Sequence, residues 1–275
     1  MLRSLKTAQH GQRLALKDDD PDLWRLKLSR KIVFEVCAED LESCVAAREG
    51  GADRIELCCA LIEGGLTPSH ALISAAIAQS GLPVYTILRP RGGDFVYSDA
   101  EFALMQEDLE HARSLGVSGF VAGVLRPNGT VNGDRMRLLV EQATPLEMTF
   151  HRAFDAAENL EHALEDVIAT GCRRLLTSGG AADVYTGAVN LRHLGEQADG
   201  RIAIAVGGGL RRETAAEVAR VTGAWQFHGS VRHLECPPEM VSKNHVTGRM
   251  VTRPENVRTM IAALEIGHAK NGRAC

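Results

Sequence analysis

Ile32-Val33-Phe34-Glu35-Val36-Cys37 and Arg54-Ile55-Glu56-Leu57-Cys58 repeat one pattern, an apolar run that closes on the sequence Glu-x-Cys. Each run is rich in β-branched and aliphatic residues and has the length of a strand. Because every second side chain of a strand points to one face, each Glu is predicted to share a face with its Cys. Paired strands lie about 5 Å apart, so two carboxylates and two thiols are predicted to meet at the ends of adjacent strands.

Similar apolar runs recur along the chain and alternate with amphipathic stretches, which is typical of repeated βα units. The predicted strands are residues 31–37, 53–58, 83–89, 117–124, 145–151, 173–178, 201–206 and 224–229. The predicted helices are residues 40–50, 68–80, 98–115, 133–143, 158–170, 182–198, 211–222 and a last one near 254–268. Eight units in strict order predict an α/β fold, a (β/α)₈ TIM barrel with a single domain.

Local signals support these boundaries. Gly81, Gly116 and Gly223 follow helical stretches, as left-handed C-caps do. Ser98 with Glu101 three residues later predicts a capping box, and Pro68 suits a first helical turn. The loop after the first strand, Ala38-Glu39-Asp40, lacks the glycines of a dinucleotide-binding fold.

Two segments lie outside the regular repeat. Residues 1–30 precede it and are predicted to be a poorly ordered N-terminal extension, with the barrel formed by residues 31–270. Residues 231–253 include Pro237-Pro238 and few apolar positions, which predicts a long irregular excursion in the last unit.

Composition excludes several function classes. The formal net charge of −4 argues against a nucleic-acid partner, and the longest apolar runs have strand length, so no membrane partner is expected. The seven cysteines are an odd number in a chain that is long enough to bury a full core. Free thiols in a reducing cytoplasm are therefore predicted.

Polar residues follow most of the predicted strands. In a (β/α)₈ barrel the carboxyl ends of the strands form the functional face, so these residues are predicted to converge there. Alternation places the polar set toward the barrel axis and Phe34, Val36, Ile55 and Leu57 toward the helices. Buried charges are costly unless they are paired, so we expect Glu35, Glu56, Arg89 and His151 to form one compensating network.

Two functional interpretations of this rim stay open. In the first, Cys37 and Cys58 bind a soft metal such as Cu(I) or Zn(II). In the second, glycine-rich loops hold an anion, an arginine clamps a second anionic group, and a histidine partnered by a glutamate moves protons. The catalytic candidates are then Glu35, Glu56, Arg89 and His151, and the ligand-binding candidates are Arg91, Arg152, Ser178, Gly207, Gly208, Gly209, His228 and Ser230.

Long motifs in a fixed order carry a family resemblance. They are Glu35-Val36-Cys37, residues 50–58, residues 63–69, residues 89–98, Thr149-Phe150-His151-Arg152-Ala153-Phe154-Asp155, residues 176–179, Gly207-Gly208-Gly209 and Phe227-His228-Gly229-Ser230. Over residues 31–232 the chain resembles the CutC copper homeostasis protein family. The resemblance implies a TIM barrel, a cytoplasmic location, a homo-oligomer and a role in copper handling, with Cys37 and Cys58 as the Cu(I) ligands. The segment after Ser230 and residues 1–30 depart from the family pattern.

The leading hypothesis from the sequence is a copper homeostasis protein that binds Cu(I) in the cytoplasm for copper tolerance or distribution. The alternative is a barrel enzyme that acts on a small anionic metabolite, phosphorylated or not, with Glu and His as acid–base groups. Arg89, Arg91, His151 and Arg152 favour the enzyme because two thiolates alone suffice for Cu(I). Whether the chain is an enzyme is left open.

Overall fold

Eight parallel strands form a closed barrel in the computed structural model, which describes residues 31–235, 241–242, 245–246 and 248–271. The strands are β1 (Val33–Ala38), β2 (Arg54–Leu57), β3 (Val84–Ile87), β4 (Gly119–Ala122), β5 (Glu147–Phe150), β6 (Arg174–Thr177), β7 (Ala203–Gly207) and β8 (Gln226–Gly229). Each pairs with the next, and β8 closes the ring on β1. The predicted fold class is confirmed. The prediction for residues 1–30 lies outside the described residues.

Helices follow the strands in the described part of the chain. They are α1 (Leu41–Gly50), α2 (His70–Ser80), α3 (Asp99–Leu115), α4 (Gly133–Ala143), α5 (Leu160–Ala169), α6 (Ala188–Ala198), α7 (Arg212–Thr222) and α8 (Pro254–Asn271). The capping box of Ser98 and Glu101 is present at the start of α3. Ser69 caps α2, so Pro68 precedes that helix and the prediction that it occupies the first turn was wrong.

The helix predicted over residues 182–198 begins only at Ala188. Asp183 instead forms a turn in which its carboxylate accepts the N–H of Thr186. A side chain on Gly187 would lie 1.9 Å from the Ser178 carbonyl oxygen, so the backbone here packs tightly against the end of β6. Residues 182–187 thus belong to the loop at the mouth of the barrel.

The excursion predicted over residues 231–253 is more regular than expected. Strand β9 (Arg232–Glu235) pairs antiparallel with β12 (Arg249–Thr252), and β10 (Val241–Ser242) pairs with β11 (His245–Val246). Val251 and Thr252 are buried, and Arg253 forms an ion pair with Glu235. Cross-strand pairing therefore gives the described parts of this segment regular structure although their apolar content is low.

The barrel wall separates two apolar regions. Phe34 and Ile55 belong to the large core that includes Ile73 of α2 and Leu109 of α3. A small separate cluster contains Cys37, Cys58, Tyr85, Ile87 and Val121. The strand alternation predicted for β1 and β2 is confirmed. In the described residues, no helix has both the length and the apolar character that a membrane span requires.

Candidate functional site

A cavity of about 590 Å³ lies at the carboxyl ends of the strands. The predicted site residues that line it are Cys37, Glu56, Arg89, His151, Arg152, Gly208, Gly209, His228 and Ser230. The structure thus brings together residues from six of the eight strands or the loops that follow them. Glu35, Cys58, Arg91, Ser178 and Gly207 are not among the lining residues.

Glu35 is the centre of a buried ion network. Its carboxylate accepts Arg54 Nε at 2.7 Å and Arg174 Nη1 at 2.9 Å, and its other oxygen lies 2.9 Å from His228 Nδ1. Burial raises the pKa of Glu35, but the hydrogen bond from His228 and the charge of Arg54 outweigh it and lower that pKa. The predicted network was wrong in two of its members. Arg54, Arg174 and His228 are the partners of Glu35. Arg89 and His151 instead contact backbone groups elsewhere.

Arg54 and Arg174 were missed from the sequence. Both guanidinium groups pack on the ring of Tyr85, at 5.5 and 4.8 Å from its centroid. Arg54 shares the strand face of Glu56, so alternation alone could have placed it inside the barrel. Arg174 opens β6 and lies 139 residues from Glu35 in the chain, and no local signal links the two.

Glu56 lies between this network and the cavity. Its Oε1 is 3.6 Å from Cys37 Sγ, and its Oε2 is 4.0 Å from His228 Nδ1. Within the described part of the chain, Oε2 has no hydrogen-bond partner. Burial, with the charge of Glu35, raises the pKa of Glu56 to about 7. Burial lowers the pKa of His228, but Glu56 and Glu35 outweigh it and raise that pKa above its usual value. Glu56 can therefore exchange a proton near neutral pH.

The two predicted thiol ligands lie side by side. Cys37 Sγ and Cys58 Sγ are 3.8 Å apart, and Cys58 Sγ also donates to the Ala38 carbonyl at 3.5 Å. The hydrogen bond with Cys58, together with burial, raises the pKa of Cys37 well above its usual value. Donor atoms of Cys37, Glu56 and His228 lie within 4.8 Å of one another. Sulfur, oxygen and nitrogen donors thus converge at the cavity wall.

Arg89 and His151 occupy another part of the cavity wall. Arg89 donates to the carbonyl oxygens of Glu63, Gly65 and Gly93, at 2.6, 3.2 and 2.8 Å. His151 Nδ1 accepts the backbone N–H of Ala153 at 3.1 Å. His151 Nε2 is buried, and none of the residues that the structure describes is its hydrogen-bond partner. Burial and the charge of Arg89 lower the pKa of His151 to about 3. His151 is therefore neutral at physiological pH and ill suited to accept a proton.

The glycine-rich loops and Arg152 form another side of the cavity. Gly208 has φ +111°, and a Cβ on it would lie 2.8 Å from Arg152 Cζ. Arg152 pairs with Asp155, which was not predicted. Asp155 also accepts N–H groups of Ser178 and Gly180. The Ser178 N–H was expected to bind an external anion, but the Asp155 carboxylate already accepts it.

Arg91 does not reach the cavity. Its guanidinium pairs with Glu101 at 2.5 Å and with Asp94 at 3.0 Å, and it donates to the Val96 carbonyl at 2.9 Å. These contacts join the loop after β3 to the first turn of α3. They indicate a role in holding that loop.

Comparisons with known proteins agree with this geometry. The family model described as "CutC family" matches residues 32–233. Family protein CutC of Chromobacterium violaceum is 49% identical over 200 residues, which cover 73% of this chain and 81% of that protein. Family protein CutC of Bacteroides fragilis is 44% identical over 248 residues, which cover 86% of this chain and 98% of that protein.

A solved structure extends the match to three dimensions. The protein assigned as copper homeostasis protein CutC in Streptococcus agalactiae superposes with a TM-score of 0.69 and 32% identity. The superposition covers 72% of this chain and 98% of that one. The chain therefore belongs to the CutC family.

Proposed function

We propose that this chain binds Cu(I) through Cys37 and Cys58 and acts in copper tolerance or copper distribution. The observation that carries the proposal is the 3.8 Å separation of the two sulfurs beside the cavity. Two metal–sulfur bonds of about 2.3 Å each span more than this distance, so one ion can bond both sulfurs. Paired thiolates favour soft ions such as Cu(I) over hard cations.

The surroundings of the thiols support the proposal. Cys37 faces the cavity, through which an ion could enter, and Glu56 and His228 offer a third ligand. The Streptococcus agalactiae relative is assigned to copper homeostasis. The cytoplasm is part of the proposal, because free thiols persist in reducing compartments, and so is the self-association that the family resemblance implies.

Titration with Cu(I) under anaerobic, reducing conditions, against a chromophoric chelator, tests this function. The Cys37→Ser, Cys58→Ser double variant is expected to lose more affinity than the about 10–100-fold that loss of an outer-shell partner costs. Cys172→Ala is the matched control, because it removes a buried thiol that packs in the outer core. Unchanged affinity in the double variant, or tighter binding of Zn(II) than of Cu(I), would contradict the proposal.

A second candidate function is an enzyme that acts on a small anionic metabolite. Four buried side-chain atoms of the cavity residues lack hydrogen-bond partners among the described residues, whereas buried polar groups are normally hydrogen-bonded. They are Glu56 Oε2, Arg89 Nε, His151 Nε2 and Arg232 Nε. Glu56 is the acid–base group in this proposal, and Glu35 holds His228 beside it. Gly208, Gly209 and Ser230 form the anion cradle, with Arg152 beside it.

Inorganic phosphate, titrated by calorimetry, tests the cradle. Gly208→Ala is expected to weaken phosphate binding by about tenfold or more, because the new Cβ displaces Arg152 and the backbone is strained at this φ. Gly195→Ala, which places its Cβ in open space on α6, should bind phosphate as the wild type does. Equal binding by both variants, or none by the wild type, would count against the cradle.

A further inference from the structure

We propose that Arg89 and His151 form a binding subsite for the carboxylate of a small-molecule substrate. This subsite is independent of the thiol pair and rests on the second candidate function, whose substrate class it defines further. Neither residue is needed to hold a metal ion. Both are 4% exposed and line the same cavity.

The hydrogen bonds of His151 leave one ring nitrogen as a donor to the cavity. Nδ1 accepts the N–H of Ala153 and thereby caps the 3₁₀ helix Arg152–Ala156. A neutral imidazole that accepts at one nitrogen carries its proton on the other, so Nε2–H is a donor. This buried donor has no partner among the described residues. A ligand that enters the cavity can therefore offer an acceptor to it.

The imidazole of His151 is held rigidly by its neighbours. Its ring packs against Phe95 with centroids 5.1 Å apart and meets Phe150 edge-on at 6.2 Å. A Cβ on Gly123, the residue after β4, would lie 2.5 Å from Nδ1, so the backbone approaches the ring closely and leaves it little room to rotate. A donor held in this way is pre-organised for its acceptor.

Arg89 brings a buried positive charge to the same part of the cavity. Three carbonyl oxygens hold its guanidinium, which also packs over the Phe95 ring at 4.9 Å. No carboxylate pairs with it among the residues that the structure describes. Burial raises the pKa of the neighbouring Tyr97 hydroxyl, which is therefore neutral and supplies no counter-charge. A buried cation without a counter-anion is costly, and a bound anion removes that cost.

The donor set selects the kind of anion. Carbonyl oxygens already occupy three of the five N–H groups of Arg89. The few donors that remain, together with His151 Nε2–H and one positive charge, match a singly charged carboxylate. A phosphate dianion carries more oxygens and more charge than these groups can satisfy. The neutral state of His151 also lets the imidazole donate without adding a second charge.

Titration of the full chain with glycolate tests the subsite, with glycolamide as the uncharged analogue. His151→Asn keeps an oxygen to accept the Ala153 N–H but removes the donor to the cavity. His151→Gln places an amide N–H near the position of Nε2. We expect the wild type to bind glycolate at least about tenfold more tightly than glycolamide, and His151→Asn to lose about tenfold. His151→Gln should stay within about threefold of the wild type.

Phosphate binding separates this subsite from the cradle. His151→Asn is expected to bind inorganic phosphate as the wild type does, whereas Gly208→Ala should bind glycolate normally. Equal affinity for glycolate and glycolamide, or unchanged glycolate affinity in His151→Asn, would overturn the subsite. A loss of phosphate binding in His151→Asn would overturn the choice of carboxylate. If the wild type binds phosphate but not glycolate, the subsite alone is refuted. If it binds glycolate but not phosphate, the cradle alone is refuted.

Discussion

Glu35→Gln is expected to lower the free energy of unfolding by about 3–5 kcal/mol, the usual cost of removing one partner of a buried ion pair. The Glu35 side chain is 2% exposed, and it faces Arg174, which is 4% exposed, and Arg54. An uncharged amide removes the carboxylate that both cations share inside the barrel. Urea unfolding, followed by circular dichroism at neutral pH, measures the change.

The surface pair of Glu165 and Arg201 provides the matched control. Its two hydrogen bonds, 2.7 and 2.8 Å long, are as short as those of Glu35, but both side chains are almost half exposed. Glu165→Gln should therefore cost much less stability than Glu35→Gln, because solvent screens an exposed ion pair. If the two variants lose similar stability, burial does not make the Glu35 ion pairs more important for stability than an exposed ion pair.

A double variant isolates the cause of the loss. Removing Arg174 as well, in Glu35→Gln, Arg174→Gln, takes one uncompensated charge out of the barrel. The double variant should lose less stability than the two single variants combined, with a coupling of about 0.5–3 kcal/mol. Simple additivity would show that the glutamate and the arginine do not interact.

The strands and the rim of the barrel were predictable because they depend on local patterns. The alternation in β1 and β2 placed Glu35, Cys37 and Glu56 inside the barrel, and the order of βα units predicted closure. The side-by-side position of Cys37 and Cys58 then follows from adjacent strands. Such features need only the strand period and the chain order.

The partners of the rim residues were not predictable in the same way. The cation that pairs with Glu35 is determined by the register of strands that are far apart in the sequence. No sequence pattern distinguishes Arg174 from Arg89 as that cation. Asp155 lies in a predicted rim motif, yet its capture of the Ser178 and Gly180 N–H groups depends on how two loops meet. His151 was predicted to move protons, but its contact with Ala153 makes it a fixed hydrogen-bond donor. The Ala153 N–H donates to Nδ1, so the ring proton lies on Nε2.

His151 is also expected to make the folded chain sensitive to acid. Its pKa is about 3 in the folded state, against an ordinary value of 6.5, because of burial first and the charge of Arg89 second. The backbone hydrogen bond and Asp155 oppose this shift, and Arg152 adds to it. Between these two values the unfolded chain binds a proton that the folded chain does not, so stability falls as the pH falls.

The expected size of this effect follows from the two pKa values. At about pH 4.5, two units below the ordinary pKa, the single imidazole costs about 2–3 kcal/mol of stability. His151→Asn lacks this group, so between about pH 7.5 and pH 4.5 it should lose about 2–3 kcal/mol less than the wild type. Urea unfolding at the two pH values measures both losses. His193→Asn, which removes an exposed imidazole, should follow the wild type. Parallel losses in the wild type and His151→Asn would mean that His151 accepts a proton in the folded state, and its role as a fixed donor in the cavity would then fail at acid pH.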